Sequence, residues 1–163
     1  MRYFDQKLNS IDPGGSCNVS SLAMALDALG IRTTPDKLYQ KAEAKGWVVT
    51  HVPTITNLAA EFGVVDKYTD KGTFTGIKKA LDLGRPVILR GNFTGSGHIV
   101  AVKSYDKNGL IVNDPYGEWF WDGYDTSVSG ESLHYSWNLI ARLCSPESIN
   151  NPANIWFHQL YKK

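Results

Sequence analysis

The sequence predicts an α+β fold, with helices first and an antiparallel sheet after them. Three observations predict it. Between residues 16 and 84, four stretches with apolar residues at helical spacing each stop at a glycine: Gly30, Gly46, Gly63 and Gly84. From Arg85 the pattern changes to short apolar runs such as Pro86-Val87-Ile88-Leu89. Two of the later runs flank Asp106-Lys107-Asn108-Gly109, which carries the Asn-Gly hairpin signal. The chain has 163 residues, 42% of them hydrophobic and 20% charged. That balance suits one domain over residues 1–163 with a sizeable core.

Taken in order, residues 1–13 read as an extended lead-in carrying Gln6 and Asn9, closed by the turn Asp12-Pro13-Gly14. The first helix is expected from Ser16 to Leu29. Ser16 is its N-cap, and Val19, Leu22, Ala23, Leu26 and Leu29 recur at helical spacing. Thr34 caps a second helix with Pro35 in its first position and Gly46 at its stop. Trp47-Val48-Val49 reads as a short strand. Thr54 to Phe62 and Thr75 to Leu83 read as the third and fourth helices. Pro86 to Arg90 is a buried strand, and residues 91–97 form a polar, glycine-rich loop. His98 to Tyr105 is a strong strand that returns through Leu110 to Asn113. The tail from residue 118 is aromatic-rich, with Ser136 to Leu143 as one further strand or short helix.

The net charge is +1, with no block of like charges, so neither nucleic acid nor an anionic surface is an expected partner. No run is long and apolar enough for a membrane span, and the first residues lack an apolar signal core. The chain is expected in the cytoplasm at synthesis, or released to the wall or periplasm without a cleaved signal. Cys17 and Cys144 are expected as reduced thiols, since a disulfide between them would silence Cys17.

Three pieces carry chemistry. Cys17 lies where a glycine-rich loop becomes a helix, and free backbone N–H groups there favour a thiolate nucleophile. His98 starts one strand of the hairpin and Asp114 follows the end of the other. The fold-back sets position 98 against roughly positions 114 to 117, so imidazole and carboxylate become neighbours. A histidine held by an aspartate can take the thiol proton and remain as an imidazolium. Gln6 is the candidate side-chain donor for an oxyanion, beside the Cys17 N–H. Asn9 is second and Asn18 third. Each residue alone has an ordinary explanation: a buried cysteine, a loop-end histidine, Asp-Pro turn chemistry, an exposed glutamine. Their joint placement favours the catalytic reading.

Metal-ligand spacing is missing among His51, His134 and His158, and the loop 91–97 leads into a strand rather than a helix. No metal or other cofactor is therefore expected. Trp119, Phe120 and Trp121 are candidates for packing or for a substrate groove, and Cys144 for packing in the second half.

In order and spacing, Tyr3-Phe4-Asp5-Gln6, Gly15-Ser16-Cys17-Asn18, Gly84-Arg85-Pro86-Val87, Gly97-His98-Ile99-Val100 and Asn113-Asp114-Pro115-Tyr116-Gly117 form a recognisable pattern. It resembles the papain-like cysteine peptidases of the bacteriocin-leader-processing type, and more narrowly their stand-alone relatives in bacteria and phages. The resemblance spans about residues 1–120. It implies a papain-like fold with Cys17 as nucleophile, His98 as base, Asp114 as its orienter and Gln6 in the oxyanion hole. Transporter-linked leader peptidases usually carry Asp-Cys-Gly at the nucleophile; here the residues are Ser16-Cys17-Asn18, and no transporter portion is read in the chain. Stand-alone relatives of this kind are often attached to cell-wall or phage-lysis functions, so the resemblance implies, as the first expectation, hydrolysis of peptidoglycan peptide by a phage lysin or an antibacterial effector. The second is a protein- or leader-processing peptidase. The third is a binding or inhibitory module, which would have no need of all four residues. An inhibitor or delivery partner is left open.

Overall fold

The computed structural model describes residues 1–93, 97–145 and 153–163. A short 3-10 turn, Gln6–Leu8, interrupts the lead-in. Helix α1 (Cys17–Ala28) follows, then α2 (Pro35–Ala44) and α3 (Val52–Ala60). Strand β1 (Val64–Gly72) and helix α4 (Phe74–Asp82) lead to β2 (Val87–Gly91). The hairpin is β3 (His98–Tyr105) and β4 (Gly109–Asn113). A small ribbon of β5 (Glu118–Phe120) and β6 (Gly123–Asp125) precedes β7 (Leu133–Ser136), α5 (Trp137–Cys144) and β8 (Ile155–Lys162).

The main sheet has six strands in the order β1-β8-β2-β3-β4-β7, with every neighbouring pair antiparallel. Helices cover both faces. Val87, Leu89, Val100 and Val102 pack toward α4 and α5, while Ile88 and Ile99 pack toward α1, α2 and α3. This alternation is the two-residue period of a strand, and burial on both faces explains why β2 and β3 read as unbroken apolar runs. The helices-then-sheet architecture is the one the sequence predicts.

Helix α1 is the most enclosed of the five helices described. Every residue from Asn18 to Leu26 is buried. Small residues let it sit against the sheet, and Ser21 Oγ donates to the Ile99 carbonyl at 3.0 Å. The predicted Ser16 cap has no side-chain capping bond. Its hydroxyl instead accepts from Asn9 Nδ2 at 2.8 Å, which ties the lead-in to the helix start. The Thr34 cap of α2 forms as predicted, and Gly46 takes a φ of +71° at the end of the second helical stretch.

One strand lies elsewhere than the apolar pattern predicts. Trp47-Val48-Val49 is irregular and turn, and the strand lies later, at β1. β1 carries Asp66, Lys67, Asp70 and Lys71. As an edge strand it is partly solvated, which hides it from an apolar-run test. Ser136 to Leu143 resolves to the helical alternative, with Ser136 capping α5. Of the predicted loop 91–97, residues 94–96 lie outside the described residues.

Candidate active site

The site forms where the start of α1 meets the starts of β3 and of the turn after β4. Cys17 is the first residue of α1 and is half-buried. The N–H groups of that first turn lack intrahelical carbonyl partners. Gln6, Cys17, Asn18, His98 and Tyr116 line one cavity of about 560 Å³. Both cysteines are free thiols, and Cys144 is buried in the core behind β2, as its packing role predicts.

The hairpin brings the histidine and carboxylate together. Ala101 pairs with Asn113 in the β3–β4 register, and His98 Nε2 lies 2.8 Å from Asp114 Oδ1. Nε2 is thereby committed to the carboxylate, which leaves Nδ1 for Cys17. Burial works against the charged ring. The charge and hydrogen bond of Asp114, reinforced by Cys17, outweigh it and raise the His98 pKa from 6.5 to about 9.

Asp114 is fully buried yet well supplied with donors. Oδ1 also accepts from the Tyr116 N–H at 3.0 Å. Oδ2 accepts from the Tyr124 and Tyr135 hydroxyls at 2.8 and 2.9 Å. Burial first, then the Asp114 charge, pushes both phenols far above their ordinary range, so they remain neutral donors. Its backbone is clamped as well. The Asp114 N–H donates to the Gly130 carbonyl at 2.8 Å, and Tyr3 bridges the two strands of chain, donating to the Asp114 carbonyl and accepting from Gly130 N–H at 3.1 Å each. A Cβ at Gly130 would collide with the Asp114 carbonyl oxygen. Tyr124 and Tyr135 escape the sequence reading because only the crowding of tyrosines in the tail hints at them.

Gln6 is buried at the cavity wall. Its backbone N–H donates to Pro115 O at 2.8 Å, which couples the lead-in to the Asp114 turn. Its amide nitrogen donates to the Pro13 and Gly14 carbonyls at 3.0 and 3.3 Å. Asn9 turns away from the cavity to Ser16 and Ser20. Asn18 donates to the Val49 carbonyl at 2.6 Å and holds its Oδ1 3.7 Å from the Cys17 sulfur. Of the other histidines, His51 precedes α3, His134 pairs with Asp106 at the surface, and His158 pairs with Asp66 inside the protein. Among the described residues no group of three or more His, Cys, Asp or Glu is placed to hold a metal ion.

An α+β fold with a cysteine at a buried helix start, facing a histidine on the sheet, defines a papain-like cysteine-type peptidase. The chain belongs to the Peptidase_C39 like family, whose model matches residues 1–145. The chain is similar in structure to the peptidase domain of Streptococcus ComA, a bifunctional ABC transporter involved in a quorum-sensing pathway. That match has a TM-score of 0.65 and 17% identity, and covers 91% of this chain and 93% of that one. It is also similar to a C39-like peptidase from Bacillus anthracis, with a TM-score of 0.60 and 17% identity over 98% of this chain and 94% of the other. Comparison with curated proteins gave no match. Among the described residues no helix is long and apolar enough to cross a membrane.

Proposed function

We propose that the protein hydrolyses an amide bond through Cys17, His98 and Asp114. The observation that carries this reading is the 2.8 Å His98–Asp114 pair opening on the same cavity as Cys17. With His98 protonated up to about pH 9, the imidazolium is the resting form at neutral pH. The sulfur attacks the carbonyl carbon, and His98 gives its proton to the leaving nitrogen. His98 then takes a proton from water, whose oxygen attacks the thioester, and the cycle closes as the thiolate leaves. Asp114 holds the ring and offsets its charge. The Cys17 N–H and the Gln6 amide stabilise the oxyanion. For this, one Gln6 N–H leaves its longer contact to Gly14.

The proposed substrate is the peptide part of bacterial peptidoglycan, at a stem or cross-link. The resemblance to stand-alone relatives with cell-wall roles supports this, and the residue after the nucleophile separates the chain from the transporter-linked pattern. Asn18 adds a side chain to the cavity wall where the transporter-linked pattern has glycine. A second reading, processing of a protein or leader peptide, is supported by the likeness to the ComA peptidase domain. The insertion of β8 between β1 and β2 supports reading residues 1–163 as one catalytic domain, although the family match stops at 145.

The test is mass spectrometry of purified sacculi incubated with the wild type and with Cys17→Ala. New muropeptides from the wild type alone are the expected result and identify the bond. If sacculi of several wall types stay intact while a peptide library is cut, the protein-processing reading replaces the wall reading.

A further inference from the structure

The cavity at Cys17 continues past Gly97. A second groove of about 380 Å³ shares Arg90 and Gly97 with it and runs on to Arg142 and Trp156. Two guanidinium groups border this groove, and aromatic rings hold both. Arg90 lies 5.2 Å from the centre of the Trp156 ring, and Arg142 lies 4.1 Å from that of Trp121. A guanidinium held over a ring is restrained, and its N–H groups at the edge can still serve a bidentate acceptor. Neither arginine has an ion-pair partner among the described residues. Asp122 borders a neighbouring cavity with Arg142 but makes no ion pair with it. No acidic side chain is among the described residues that line the groove. Both tryptophans are exposed, at 60% for Trp121 and 42% for Trp156, so the arginines are presented to a ligand rather than sealed in a core.

We propose that this groove is a carboxylate-binding subsite. It selects peptides that carry an acidic group a few residues from the bond presented to Cys17. The inference deepens the hydrolase reading above and rests on it for the link to cleavage. Charge complementarity and continuity with the Cys17 cavity argue for an anionic peptide as the occupant. Pre-organised arginines also lower the ordering cost of binding it.

The test titrates Cys17→Ala protein with three acetylated probes and reads tryptophan fluorescence. Tetraglutamate amide carries side-chain carboxylates only. Tetraglutamine free acid carries a terminal carboxylate only. Tetraglutamine amide carries neither. At least one acid is expected to bind about tenfold or more tightly than the neutral probe, and the tighter acid identifies the source of the carboxylate. The preference is expected to vanish in Arg142→Gln and to persist in part in Arg142→Lys. Arg142 is exposed, so the fold tolerates both changes, which circular dichroism checks. Equal binding of all three probes overturns the proposal, as does a preference unchanged by Arg142→Gln. Digestion of both sacculi and a peptide library by the wild type, with Cys17→Ala as control, tests the hydrolase reading separately. No cleavage there brings down that reading, while selective binding of an acid still upholds the groove.

Discussion

Among the described residues lie two buried histidine–carboxylate pairs. His98 meets Asp114 at 2.8 Å and His158 meets Asp66 at 2.7 Å. In distance and burial they are close to twins. Their surroundings differ. Asp114 receives four donors, and its histidine turns Nε2 inward and the other nitrogen toward a cysteine. Asp66 receives His158 Nδ1 and the Thr56 hydroxyl. Its second oxygen and His158 Nε2 have no hydrogen-bond partner among the described residues. Tyr68 packs on the His158 ring at 4.8 Å between centroids, and both side chains of the pair are fully enclosed. A His–Asp contact is therefore ordinary structural material. An opening and a reactive partner turn it into chemistry.

The largest effect is expected on the open side. His98→Ala removes the proton carrier and lowers kcat/KM for a cleaved peptide by about 10,000-fold. A loss under tenfold would reduce His98 to a piece of cavity wall.

Asp114→Asn comes next, with a loss of about 100- to 1,000-fold. It also changes the pH profile. In the wild type the protonated form of His98 donates to the leaving group, so activity falls as pH rises through about 9. Without the carboxylate charge that limb moves down toward the ordinary 6.5. An unmoved limb would mean that Asp114 does not set the His98 charge. Thermal stability carries the same mark. The His98 pKa is raised on folding, so its contribution is complete below 6.5 and is lost as pH rises through about 9.

On the closed side the effect is on stability alone. His158→Ala strands Asp66 and costs about 3–5 kcal/mol of unfolding free energy in urea. The protein that remains folded keeps kcat within about twofold. A selective loss of kcat would assign His158 to the site and end the contrast.

The smallest effect sharpens it. Tyr124→Phe removes one donor of Asp114 and costs about 1 kcal/mol, or about fivefold in kcat/KM. Thr56→Ala, its counterpart beside Asp66, leaves kcat unchanged.

Sequence and structure agree where local rules suffice. Cys17 announces itself by the glycines before it and the helical spacing after it. His98 and Asp114 follow from one hairpin whose Asn-Gly turn fixes their approach. The four glycine stops mark the helices well, because each lies in a left-handed conformation that few other residues adopt. What stays hidden depends on distant partners. Asp66 and His158 are 92 residues apart, and no local pattern pairs them. Tyr124 and Tyr135 reach Asp114 through a ribbon whose path local pattern leaves unset. β1 looks like a polar loop until β8 pairs with it.

That pairing bears on the order of events during synthesis. β8 fills the gap between β1 and β2, and its Leu160 completes the core beneath α1. On the ribosome it emerges after the other strands described. Until then β1 has no neighbour in the sheet and the helix carrying Cys17 lacks part of its floor. A nascent chain therefore holds its thiol before it holds the whole core on which the Cys17 helix packs. The core beneath the Cys17 helix closes only after β8 has been made.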